Sequence, residues 1–139
     1  MSGTPRPRRT GRSVGALLAG ILVVVTLSTG TDLALHATGI FPPFGQPMGG
    51  ALFLLATAYR TLYGIAGGYL VARLAPYRPM AHALTSGVLG LAASIAGAVA
   101  TWNRGPEFGP KWYPLALIVL AVPCAWAGGW LHSVQSRER

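Results

Sequence analysis

The chain has 139 residues, 52% of them hydrophobic and only 10% charged, with a formal charge of +8. A soluble domain usually carries about 25% charged residues, so this set is too poor in charge to cover a water-exposed surface. The basic excess does not point to nucleic acid, because the arginines sit at the ends of apolar runs and not on one face, the pattern of a charge-oriented membrane protein.

The first 13 residues, "MSGTPRPRRTGRS", have almost nothing to bury and predict a disordered basic tail whose arginines can meet anionic headgroups. A spanning helix needs about 20 apolar residues. Val14 to Leu35 is the first such run, with Asp32 near its far end and His36 just beyond. Arginines followed by an apolar run also resemble a cleaved signal peptide. The poor cleavage site and the return of apolar residues at Leu33 to Leu35 favour retention. "GIFPPFGQP" then reads as a loop.

The second run, Gly49 to Ala72, contains Arg60 and a GxxxG pair, Gly64 and Gly68. "PYRP" separates it from the third run, Ala81 to Thr101, and is so short that the two must form an antiparallel hairpin. Fourteen of the 21 residues in the third run are Gly, Ala, Ser or Thr. Leu84, Val88, Leu91, Ile95 and Val99 make one bulky helical face, and Ser86, Gly90, Ala93, Gly97 and Thr101 make a smooth face opposite. Close backbone approach drives helix association in lipid, so the smooth face is expected against a neighbour. "NRGPEFGPK" leads to the fourth run, Trp112 to Leu131, in which Ala121, Ala125 and Gly129 step by four and Pro123 predicts a bend. Trp102, Trp112 and Tyr113 fit one interfacial aromatic belt and Trp130 the other.

Eight arginines flank one side of these runs: Arg6, Arg8, Arg9, Arg12, Arg73, Arg78, Arg137 and Arg139. The other side has only Arg104 and Lys111. The expected fold is therefore all-α, an integral membrane protein built as an antiparallel four-transmembrane-helix bundle over residues 14–132, with both termini, including the tail 133–139, in the cytoplasm. The bias also speaks against the dual topology of very small multidrug transporters.

Arg60 is the residue that needs explaining, since a charge near the bilayer centre costs at least about 2.5 kcal/mol. It lies roughly 16 Å into its run. Of the three acids, only Asp32 is intramembrane, about 10 Å nearer the outer interface. Arginine can reach by snorkelling, so a charge-assisted Asp32–Arg60 contact opening outward is expected. His36 follows Asp32 by four residues on the same helical face, and Tyr59 and Tyr63 flank Arg60, which completes a candidate polar cluster of Asp32, His36, Tyr59, Arg60 and Tyr63.

The motifs of zinc proteases, serine hydrolases and P-loops do not occur, and one cysteine with scattered histidines provides no metal spacing. No catalytic residue, metal or cofactor is expected. Three segments, "YRTLYGIAGGYLVARLAP", "RPMAHALTSGVLGLAASIAGAVATW" and "WYPLALIVLAVPCAWAGGWL", resemble an uncharacterised group of small bacterial inner-membrane proteins. That resemblance implies a four-helix protein of the bacterial inner membrane and carries over no site residues. The expected role is a structural or interaction component whose partners are the lipid bilayer and either a second copy or another membrane protein. The alternative is a small transporter or channel subunit using Asp32, Arg60 and His36.

Overall fold

A computed structural model describes residues 7–139. It contains four long helices: α1 (Pro7–Ala37), α2 (Gly50–Leu74), α3 (Pro79–Thr101) and α4 (Trp112–Arg137), with one 3-10 turn at Pro106–Phe108 and no strand among the described residues. The helix ends follow local chemistry. Ala75 precedes Pro76 and is extended, which stops α2. Pro79 opens α3, where a missing N–H leaves no hydrogen bond unmade. The predicted basic tail 1–13 falls partly outside the described residues. Its last part, 7–13, is the first two turns of α1 and not a loose segment. Those turns have a partner, since Ser13 Oγ lies 2.9 Å from His82 Nε2 on α3.

The helices run alternately up and down. Asp32 near the end of α1 meets Arg60, while Gly20 faces Gly67 further along, so α1 and α2 are antiparallel. Phe53 meets Tyr113 and Gly68 meets Ala125, so α2 and α4 run parallel. The start of α1, the end of α4 and the α2–α3 hairpin therefore lie at one end of the bundle, the terminal end. The α1–α2 and α3–α4 connections lie at the other, the loop end. Arg9, Arg12, Arg73, Arg78, Arg137 and Arg139 cluster at the terminal end, and Arg104 and Lys111 at the loop end.

Small residues decide where the helices touch. A Cβ at Gly68 would stand 2.7 Å from the Ala125 carbonyl oxygen, and one at Gly64 would meet Cys124 at 3.2 Å. Gly128 of α4 lies equally close to the α2 backbone at Ile65 and Tyr69. Gly20 and Gly67 make the matching approach between α1 and α2. On α3 the structure departs from the expected face. Ala83, Gly87 and Ala98 are buried, with Gly87 and Ala83 against α4. Ala93 and Gly97 are exposed, Ser86 and Gly90 only half-buried, and nothing lies within 4 Å of a Cβ placed at Gly90 or Gly97. Small residues occur all around α3, so periodicity could not tell which smooth stripe α4 would choose. The bulky stripe does face outward, with Val88 56%, Ile95 46% and Val99 75% exposed.

Three stretches, Arg9–Ala37, Pro79–Thr101 and Pro106–Arg137, are long and apolar enough to cross a membrane. At 25 residues, α2 is about 37 Å long and so has the length, but Arg60 and the tyrosines beside it lower its hydropathy. Only about a fifth of each apolar stretch is buried in the bundle, which leaves an outer surface of leucine, valine and tryptophan. Glycine contacts should govern stability: Gly68→Leu or Gly128→Leu is expected to lower the melting temperature in detergent by many degrees or to abolish folding. Gly90→Ala, which meets open space, should leave melting unchanged or raise it slightly.

Candidate functional site

The functional candidates lie at the loop end, between α1 and α2. Asp32 is five residues from the end of α1 and Arg60 ten residues into α2. The backbone levels differ by about 7 Å, which the long arginine stem covers. Arg60 Nη2 donates to Asp32 Oδ2 at 2.5 Å. The hydroxyl of Tyr59 donates to the other carboxylate oxygen, Oδ1. Asp32 is thus held by two side chains from the same turn of α2. The Tyr59 ring also lies 5.9 Å from the guanidinium carbon, near enough for a cation–π contribution. The paired side chains are 30% and 29% exposed, so neither is sealed in the bundle.

Pairing answers the cost of the arginine. A lone guanidinium in an apolar setting is expensive, whereas a guanidinium bonded to a carboxylate presents no net charge. A second link lies one turn along. Thr31 Oγ1 donates to the Leu27 carbonyl at 2.7 Å, so Tyr63, 2.7 Å away, must be the donor to Thr31. Tyr63 therefore ties α2 to α1 beside the ion pair and does not bond Arg60.

His36 takes a different role from the one its spacing predicts. Its Nδ1 is 2.7 Å from the Pro42 carbonyl, which can only accept, so Nδ1 carries the proton. The ring stacks on Phe44 at 3.9 Å and meets Phe41 edge-on at 5.3 Å. His36 thus folds the α1–α2 connection back over the helix ends and makes no hydrogen bond to Asp32. Phe41, brought in by that fold, is buried with Ala56 and Tyr59, with Tyr113 packed against them.

The folded connection and the α3–α4 connection enclose a cleft of about 500 Å³. Asp32, His36 and Arg60 share its wall with Glu107, Phe108 and Tyr113. Glu107 and Tyr113 are distant from the cluster in sequence and join it only through the fold. They arrive because Gly109, at φ 90°, lets its backbone lie directly on the Phe53 ring and turns the 3-10 segment inward. The glycine in "EFGPK" was the available signal, but it did not say which ring the loop would cover. Among the described residues, no three His, Cys, Asp or Glu side chains group closely enough to hold a metal ion.

Comparison with family models, with curated proteins and with solved structures gives no match.

Two substitutions separate the roles at this end. Tyr59→Phe removes one hydrogen bond to a charged acceptor without changing packing, and should cost about 1.5–3 kcal/mol, read as a fall in detergent melting temperature. His36→Ala should instead loosen the α1–α2 connection, read as faster proteolysis at residues 38–49 with a smaller change in melting.

Proposed function

We propose that the chain is a four-span protein of the bacterial inner membrane, with α2 as the fourth span, both termini cytoplasmic and the loop end outside. Its role on this reading is structural or interactive, without catalysis. The observation that carries it is the 2.5 Å contact between Arg60 and Asp32, reinforced by Tyr59. That pairing removes the objection to α2 as a span, since the one charge in its middle is neutralised by the neighbouring helix. The crowding of arginines at the terminal end supports the orientation. Both carboxylate oxygens of Asp32 are occupied, which suits a pair that fixes the register of α1 on α2 better than one waiting for a substrate. The apolar exterior suits lipid and further helices as partners, either a second copy or another membrane protein.

A second reading, a transporter or channel subunit, draws on the loop-end cleft, where Asp32, His36, Arg60 and Glu107 share one wall. The two readings differ in how the pair responds to mutation. Under the structural role Arg60→Leu and Asp32→Asn each lower membrane yield and detergent melting temperature, and the double variant recovers part of the loss because no lone charge remains. Equal yields for all forms would end the structural reading and favour the second. Reporter fusions at Gly45, Arg78 and Arg139 should read outside, inside and inside. An outside signal at Arg139 would overturn the four-span topology.

A further inference from the structure

Two spaces remain open between the elements. The groove between α1 and α3, about 340 Å³, is walled largely by Gly, Ala, Val and Leu. The loop-end cleft, about 500 Å³, falls in the size range of small-molecule sites and carries both charge and aromatic rings. Its wall is not electrically balanced. Arg60 neutralises Asp32, and Glu107 is left over as one further negative charge, with His36 neutral. The other cations of this end do not restore the balance. Neither Arg104 nor Lys111 lines the cleft, and Lys111 Nζ lies 4.9 Å from the centre of the Trp102 ring. The Arg60–Asp32 contact is the one salt bridge among the described residues, so Glu107 has no cationic partner among them.

The aromatic side chains of the cleft come from both connections as well as the helices. Phe41 and Phe53 are buried, whereas Phe44 is 70% and Phe108 42% exposed. Phe44 gives one face to the His36 ring, stacked at 3.9 Å, and Phe108 adjoins Glu107 in the 3-10 turn. Aromatic faces carry partial negative charge and attract cations. Exposed rings beside a carboxylate, in a cleft with one surplus negative charge, suit one class of occupant. An anion would meet Glu107 and an arginine already spent on Asp32. A metal ion lacks ligands, since no three His, Cys, Asp or Glu side chains group closely enough among the described residues. A neutral apolar molecule would take water from Glu107 and return nothing. A cation whose charge is spread over methyl or methylene groups answers both the carboxylate and the rings.

We propose that the loop-end cleft binds a small organic cation bearing an alkylammonium group, with the Glu107 carboxylate as counter-charge and the Phe44 and Phe108 rings against the alkyl groups. The proposal deepens the second reading above by naming a ligand class, and it needs the geometry of the cleft, not transport. The ammonium group can arrive on a soluble amine or on the ethanolamine headgroup of a phospholipid.

Isothermal titration calorimetry of the full chain in an uncharged detergent, with benzyltrimethylammonium as probe, tests it. Wild type should bind the probe saturably, and benzenesulfonate, with the opposite charge on the same ring, should not compete. Glu107→Gln should weaken binding about tenfold or more at unchanged melting temperature. Glu138→Gln removes the same charge at the terminal end and should leave affinity unchanged. Phe108→Leu, which keeps an apolar side chain but removes the ring, should weaken binding to a lesser degree. Nanodiscs of equal phosphatidylglycerol content, completed with either a neutral galactolipid or phosphatidylethanolamine, separate the two sources. Weaker probe binding with phosphatidylethanolamine assigns the site to the headgroup and equal binding assigns it to a soluble amine, and either upholds the proposal. Failure of wild type to bind the probe, Glu107→Gln binding as tightly as wild type, or benzenesulfonate displacing the probe would each overturn it. Probe binding is read separately from the yields of the Arg60 and Asp32 variants. A chain that binds no probe yet shows the pattern expected of those variants sinks this proposal alone and leaves the structural reading standing.

Discussion

An arginine placed ten residues into a helix of leucine, alanine and glycine imposes a condition on everything around it. The guanidinium must be neutralised by a neighbour, and the chain has a single carboxylate within an apolar run to do it. Asp32 meets that condition only if α1 lies antiparallel on α2 in one register, with the loop between them short enough to return and long enough to turn. The Tyr59 and Tyr63 hydroxyls add two more ties between the same helices, so the register is specified at three points within about two turns. Such a set contributes specificity more than strength, since the charges give up much hydration in making it.

Glycine sets the second condition. With apolar residues facing outward on every helix, burial of side chains cannot hold the bundle together in lipid, and dispersion between closely approached backbones must do so. Gly64 and Gly68 on α2 meet Cys124, Ala125 and Gly128 on α4, and Gly20 meets Gly67 between α1 and α2. These contacts draw α2 inward as the helix shared by both neighbours. That placement puts Arg60 at the border of two spaces, the loop-end cleft and the groove between α1 and α3. The pair that fixes the register thus also separates a polar space from an apolar one.

Several expectations from the sequence depend on local properties alone. Four helical runs, their order, the short hairpin after α2 and the outward bulky stripe of α3 follow from hydrophobic periodicity and from proline and glycine at the breaks, none of which needs a distant residue. The pairing of Arg60 with Asp32 was also legible, because only one intramembrane acid exists to be chosen. His36 shares the loop-end cleft with Asp32 and Arg60 but spends its hydrogen bond elsewhere. Spacing of four puts it on the face of Asp32, but a histidine at a helix end can turn to the connection beyond, where the Pro42 carbonyl and two phenylalanines were available.

What the sequence determined by itself was the kind of solvent these helices suit, their number, and the need for one buried cation to find one anion. Charge counts, apolar run lengths and the scarcity of acids carry that information without reference to geometry. Only the tertiary structure decided which smooth stripe of α3 would be covered, that Glu107 and Tyr113 would join the loop-end cleft, and that a groove would remain between α1 and α3. Each of these depends on which helices become neighbours in three dimensions. In a chain where small residues lie on nearly every face, periodicity leaves that choice open, and the interlocking of particular glycines with particular backbones makes it.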